Sequence, residues 1–239
     1  MKVKHLFLFL SSAFILFVSC GGGIGSTRPK NALDSVSYAI GVNQGAAWKI
    51  GMKRSNVELN DEMILAGVRD ALSKDSLAVL VKPENAGMVI ESFFDRREKQ
   101  KKKENLENGR KFLAENAKKA GVETTASGLQ YIIEREGTGV QPRAYDTVEV
   151  SYRGLLIDGK EFESSYTRNK PAKIYLKGVI KGWTEGIQLM REGAKYKFFL
   201  PTELAYGEYV YPNSPFEANV PLIFEIELLN VIPGKAPAK

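Results

Sequence analysis

"GVIKGWTEGIQLMREG", residues 178–193, is the stretch on which the fold turns. Trp183, Ile187 and Met190 recur at helical spacing, so a short helix is expected here with its apolar side against a core. On spacing alone Trp183 reads as a core plug. The Val179–Ile180 pair just before it, and the glycine directly preceding it, leave a second reading open: the indole is the floor of a binding pocket. The segments on either side are strand-like. "DTVEVSYRGLLIDGKEF" alternates Val148, Val150 and Tyr152 and then turns at Asp158–Gly159, a common hairpin signal. "GLQYIIERE", "AKIYLKG", "AKYKFFLP" and "PLIFEIELLNVI" are further runs rich in β-branched and aromatic residues. The predicted class is α+β, a mostly antiparallel sheet with one short helix against one face.

Upstream of Gly121 the pattern is helical. Leu33, Val36, Ile40 and Ala47 fall near one helix face, with Asn31 or Asp34 as the cap. Ile64, Val68 and Leu72 follow one turn apart behind Asn60, a second cap. Pro83 then opens a third segment at a favourable first-turn position. A helix from Glu84 to Ala120 would extend about 55 Å at 1.5 Å per residue. Its start is apolar on one side, with Met88, Phe93 and Phe94. Asp95 to Asn105 carries no apolar residue, the mark of a helix bridging domains through solvent. Leu106, Phe112 and Leu113 give its end something to bury. Gly109 leaves two readings, one bent helix or two helices broken there. The apolar faces of the first two helices need a partner, so dimerisation through residues 32–82 is expected. Trp48 reads as a packing or interface residue of that half.

The chain has 239 residues, of which 44% are hydrophobic and 26% charged, a globular composition. Its start differs. Lys2 and Lys4 precede "LFLFLSSAFILFV", an uncharged run shorter than the roughly 20 residues a bilayer requires. It fits the hydrophobic region of a secretory signal over residues 1–19. Ser19 followed by Cys20, the only cysteine, resembles a bacterial lipoprotein processing site, with Phe17 where leucine is usual. Cys20 would then carry lipid, and residues 20–31 would form a flexible tether. An ordinary cleaved signal with an incidental cysteine is the alternative. Either way the only histidine, His5, leaves with the signal. Histidine bases, Ser-His-Asp triads and Cys/His zinc sites are thereby excluded, and any catalysis must work by other means. The formal charge of +6 is a mild basic excess. Its lysines interleave with acids in "DRREKQKKKENLENGRK", so no nucleic-acid role is expected.

From Val122 to Val231 the chain resembles the FKBP-type peptidyl-prolyl isomerase domain. "VSYRGLLIDGKEFESSYTRNKP", "GVIKGWTEGIQLMREG", "ELAYGE" and "PLIFEIELL" carry the resemblance, in order and at the right spacing. "SYAIGVNQG", "LNDEMILAGVRDAL" and "FLAENAKKAGVETTASGLQYIIEREGTG" resemble the helical dimerisation domain of macrophage infectivity potentiator-like lipoproteins and related periplasmic members. The resemblance implies a helical dimerisation domain at 32–82 and a connecting helix at 83–121. It also implies an isomerase domain at 122–234, with a five-stranded sheet wrapped around a short helix, and a tail at 235–239. The implied activity is cis-trans isomerisation of X-Pro bonds in exported proteins, for which neither metal nor cofactor is expected. The alternative is a holdase that binds prolyl segments with little turnover. Clients would be unfolded or proline-containing chains, and macrolides would be inhibitors.

By position in that resemblance, Tyr152, Glu163 and Tyr206 are the catalytic residues. Phe162, Val179, Ile180, Trp183, Phe216 and Phe224 bind substrate, and Arg168 supports Glu163. Phe224 also has a plain core reading, and Tyr206 could simply brace its loop. Glu163 stands where the family usually has aspartate, and Ala172 where a bulky aromatic is common. Tyr211 lies near a usual histidine, and Glu217–Ala218 replace a typical proline pair.

Overall fold

The computed structural model describes residues 28–55, 57–73, 79–211 and 214–235. The predicted signal, Cys20 and most of the tether therefore lie outside the described residues. The chain divides into two compact units, residues 1–80 and 81–239.

The first unit holds α1 (Ala32–Ser55) and α2 (Asp61–Leu72). Asn31 Oδ1 accepts from the Asp34 N–H at 2.9 Å, and Asn60 Oδ1 from the Met63 N–H at 3.1 Å. Each satisfies a donor that the first turn leaves free. Leu33, Val36, Ile40 and Ile50 on α1 are exposed, as are Met63, Leu65 and Leu72 on α2.

The second unit begins with α3 (Pro83–Asn116), which has Pro83 in its first turn and runs unbroken through Gly109. It ends at Asn116, short of the expected Ala120, and the chain turns at Gly121, whose φ is 78°. The polar stretch does not only face solvent, for its last residues meet the loop before the final strand. Asn105 Nδ2 donates to the Ala218 carbonyl at 2.9 Å, and Asn219 Nδ2 to the Lys102 carbonyl at 3.3 Å. Further along, the Phe112 and Phe199 rings lie 6.2 Å apart. The buried Asn116 amide donates to Gln130 Oε1, and Gln130 Nε2 to the Leu113 carbonyl. These contacts tie the end of α3 to the sheet.

The sheet contains β1 (Glu123–Thr124), β2 (Gln130–Arg135), β3 (Thr147–Leu155), β4 (Glu161–Ser164), β5 (Ala172–Tyr175), β6 (Lys195–Leu200) and β7 (Leu222–Ile232). Its order is β1-β2-β6-β7-β3-β4, with β5 also paired to β3 and every pairing antiparallel. β4 pairs with Arg153–Leu155 and β5 with Thr147–Val150, so the two share one edge of β3. Apart from the two-residue β1, the sheet thus has the five strand positions of the expected fold.

One face of this sheet wraps α4 (Lys181–Ile187). Val148, Val150 and Tyr152 of β3 alternate into the core with Leu222, Phe224, Ile226 and Leu228 of β7. Trp183 and Ile187 of α4 pack onto them, with Met190 just beyond. The helix lies close because Gly182 and Gly186 face the sheet. A Cβ on Gly182 would stand 2.5 Å from Leu200 Cδ2, and one on Gly186 2.7 Å from Phe198 Cε1. The opposite sheet face is charged, with Glu225 between Lys197 at 3.0 Å and Arg153 at 3.5 Å.

Candidate functional site

The site is built where β3, β4 and β7 meet the start of α4. Gly154 on β3 pairs with Glu163 on one side and Phe224 on the other. A Cβ at Gly154 would come within 2.6 Å of Phe162 and 2.9 Å of Phe224. Its absence lets both rings close over the strand, 5.8 Å apart and edge to face. From there a chain of rings continues. Phe224 meets Trp183 at 5.2 Å and 88°, and Trp183 meets Tyr152 at 4.9 Å and 84°. In the other direction Phe162 meets Phe216 at 5.0 Å, and Phe216 meets Tyr206 at 5.1 Å. The edge contacts align the positive rim of one ring with the negative face of the next, whereas the Phe216–Tyr206 pair is tilted at 43°. Val179 and Ile180 pack against the same cluster at the start of α4.

A cavity of about 360 Å³ opens beside these rings, lined by Phe162, Glu163, Tyr206, Val210, Tyr211, Ser214, Pro215 and Phe216. Four of the expected site residues, Phe162, Glu163, Tyr206 and Phe216, therefore form its walls. Phe224 meets the wall ring Phe162, Tyr152 bonds the wall residue Glu163, and Trp183 contacts both Phe224 and Tyr152. Ala172 pairs with Val150 at the start of β5 and does not line the cavity. Val210, Ser214 and Pro215 were not singled out in the sequence. They sit in an irregular loop with no periodicity, and Pro215 was the only available signal.

One edge of the site is polar. The Tyr152 hydroxyl donates to Glu163 Oε1 at 2.5 Å and accepts from Arg168 Nη2 at 3.0 Å. Arg168 Nη1 lies 3.4 Å from the same carboxylate oxygen. Ser165 fixes the backbone beneath, its hydroxyl accepting from the Tyr152 N–H at 2.8 Å. Burial pushes the Tyr152 phenol above its ordinary value, and the bond to Glu163 adds to this. The Tyr206 phenol is also raised, by desolvation first and then by the charge of Glu163. Both hydroxyls therefore keep their protons near neutral pH. Trp183 Nε1 is buried without a hydrogen-bond acceptor.

Among the described residues no cluster of three or more His, Cys, Asp or Glu side chains is placed to hold a metal ion. The site instead offers aromatic walls, two protonated phenols and a carboxylate pinned by an arginine. That set suits binding and reshaping an uncharged apolar group.

The comparisons with known proteins point to the prolyl isomerases. A family model described as FKBP-type peptidyl-prolyl cis-trans isomerase matches residues 139–229. A second, described as the domain amino terminal to it, matches residues 33–133. The FKBP-type peptidyl-prolyl cis-trans isomerase FkpA of Aeromonas hydrophila is 41% identical over 209 residues, covering 84% of this chain and 77% of its own. The outer membrane protein MIP of Legionella longbeachae is 36% identical over 207 residues, covering 83% and 85%. The crystal structure of FkpA from Escherichia coli superposes with a TM-score of 0.72 at 33% identity, over 86% of this chain and 99% of that one. The chain belongs to the FKBP-type peptidyl-prolyl cis-trans isomerases and is an enzyme of that class.

Proposed function

We propose that the enzyme accelerates X-Pro isomerisation in exported proteins by binding the twisted amide better than either planar isomer. The observation that carries this reading is the ring chain beside an apolar cavity, with one polar edge made by Tyr152, Glu163 and Arg168. The barrier to rotation is about 18–20 kcal/mol because the planar amide is resonance-stabilised. An apolar wall disfavours the charge-separated planar form and accepts the less polar twisted one. Such a preference is differential binding, and each 1.36 kcal/mol of it is worth about tenfold in rate. No nucleophile or metal is required.

In this reading Phe162 and Phe216 receive the proline ring, with Val179 and Ile180 closing one side. A ring that parts Phe216 from Phe162 reaches Phe224 and Trp183 behind them. Tyr206, exposed at the rim, donates to a substrate carbonyl. Tyr152 and Arg168 hold Glu163 at the cavity wall, where it orients the chain being turned.

Beyond the site, residues 1–19 act as an export signal and Cys20 as a lipid-bearing terminus. Residues 20–31 serve as the tether, and 32–82 as the dimerisation domain. Residues 83–121 connect it to the isomerase domain of 122–234. The likeness to an outer membrane protein, MIP, supports a periplasmic or surface-facing location. The exposed apolar residues of α1 and α2 support the dimer.

The test is an isomerisation assay on a proline-containing peptide. Tyr152→Phe should lose roughly tenfold in kcat/KM, the worth of a hydrogen bond to a charged group. Trp183→Leu should lose more, because it removes the wall common to Tyr152 and Phe224. Wild-type rates in both variants would count against the site. An inactive wild type that still suppresses client aggregation would favour the holdase reading, in which the pocket grips prolyl segments with little turnover.

A further inference from the structure

The loop that carries Phe216 is fastened to α3, and we propose that Asn105 is a positioning residue of the isomerase site. This rests on the reading of Tyr206 and Phe216 as site residues. Asn105 Nδ2 donates to the Ala218 carbonyl at 2.9 Å and to Glu217 Oε2 at 3.0 Å. Lys101 Nζ lies 3.7 Å from the same carboxylate oxygen. One helical turn beyond Asn105, α3 presents Gly109, where a Cβ would stand 2.8 Å from Pro221 Cδ. Between these two contacts Asn219 takes a left-handed backbone, with φ 61°. Its side chain donates to the Lys102 carbonyl, and its N–H donates to the Gly207 carbonyl at 2.9 Å.

The consequence lies in what these anchor points flank. Gly207 directly follows Tyr206, and Glu217 directly follows Phe216. The two ends of the loop that lines the cavity are thus joined through Asn219, and the Phe216 end is fastened to the helix. Neither Glu217 nor Ala218 fixes its own φ as a proline would, so the loop has backbone freedom that α3 removes from outside. The helix that precedes the isomerase domain acts as the missing stiffener, with the Asn105 amide at the point of contact.

Asn105 touches no substrate, so its loss should affect how well the loop is set for binding. In steady-state assays of the full chain on a proline-containing peptide, Asn105→Ala should raise KM about fivefold, the scale of a single hydrogen bond, with kcat nearly unchanged. Alanine is a good helix former, so this variant retains α3. The discriminating arm restores stiffness from within. Ala218 precedes the left-handed Asn219, the place a type II turn gives to proline. Its N–H donates to nothing among the described residues. In an Ala218→Pro background, Asn105→Ala should change KM less than about twofold, because the loop no longer depends on α3. Glu217→Gln keeps an oxygen for Asn105 to donate to, and should retain near-normal KM.

Three results would overturn the proposal. They are an unchanged KM in Asn105→Ala, an equal loss with and without Ala218→Pro, or a full loss in Glu217→Gln. The last would assign the effect to the Lys101 ion pair. Should Ala218→Pro not fold, the Asn105→Ala and Glu217→Gln arms decide alone. Tyr152→Phe, run in parallel, reports on the site reading itself. A normal rate there with a KM defect in Asn105→Ala separates the two failures.

Discussion

Tyr152 shows how a single residue is set by its neighbours. Its ring is buried against Trp183, and its hydroxyl sits between a carboxylate and a guanidinium. Burial favours the neutral phenol, so its pKa rises above the usual 10 or so. A raised folded value means the fold binds that proton more tightly than the unfolded chain does. The associated stability is complete below the ordinary phenol range and is lost as pH rises through the folded value. Tyr206 follows the same sign. The rate should therefore stay level as pH rises from about 7 to about 9, with any loss from these phenols only above about 10. A pH profile of kcat/KM on a peptide checks this; an alkaline limb near pH 8 would contradict the proposed roles of both tyrosines. That the Tyr152 hydroxyl needs a partner if buried was readable from the sequence, but which residues supply it was not. That Glu163 could still reach the tyrosine despite its extra methylene required the register of β3 and β4.

At the scale of elements, α4 depends on closeness to the sheet. Gly186 lets Phe198 pack beneath the helix, and Phe198 is itself fully buried. Gly186→Ala would gain about 1 kcal/mol of helix propensity. It should lose more by forcing the ring aside, at about 1–3 kcal/mol of overpacking. The expected outcome is a lower urea midpoint with unchanged m-value. The helix itself was legible in "GWTEGIQLM", since Trp183, Ile187 and Met190 keep its period. The division of one edge of β3 between β4 and β5 was not legible. Both segments read as strands, but only the pairing shows that they share an edge, with the Ser165–Pro171 connection between them. Likewise the polar run of α3 read as a shaft through solvent. Asn105 and Lys102 reach a loop more than a hundred residues away in sequence, a contact no local pattern encodes.

At the scale of the whole molecule, the two units differ in what they bury. The second has a continuous core of aromatic and aliphatic side chains, whereas the helices of the first leave large apolar residues exposed. Leu33, Ile40 and Met63 are each more than half exposed in the single chain. Under the dimer proposal they are covered by a second copy, and sedimentation of the mature chain should give twice the monomer mass. Leu33→Asp with Ile40→Asp should shift it towards monomer while peptide isomerisation persists. A monomeric wild type would remove the proposal. Incorporation of labelled palmitate should depend on Cys20, and labelling that survives Cys20→Ala would remove the proposed anchor. No helix among the described residues is long and apolar enough to cross a membrane.

The sequence alone excluded histidine-based chemistry from the body of the chain and determined the order of the elements. It has one histidine, placed within the signal-like start, and repeating patterns of period two and period three to four that mark strands and helices. Both are properties of local composition and spacing. Trp183 marks the point where that information ends. Its spacing with Ile187 and Met190 puts it on the inner face of α4, but not at any particular depth. Tertiary structure decided the depth. Gly154 admits Phe162 and Phe224 over the strand, where Phe224 meets the indole and Phe162 lines the cavity with Phe216. β3, β4, α4, β7 and the loop before β7 meet there, and their separations follow from strand register and close packing rather than from any single stretch of chain.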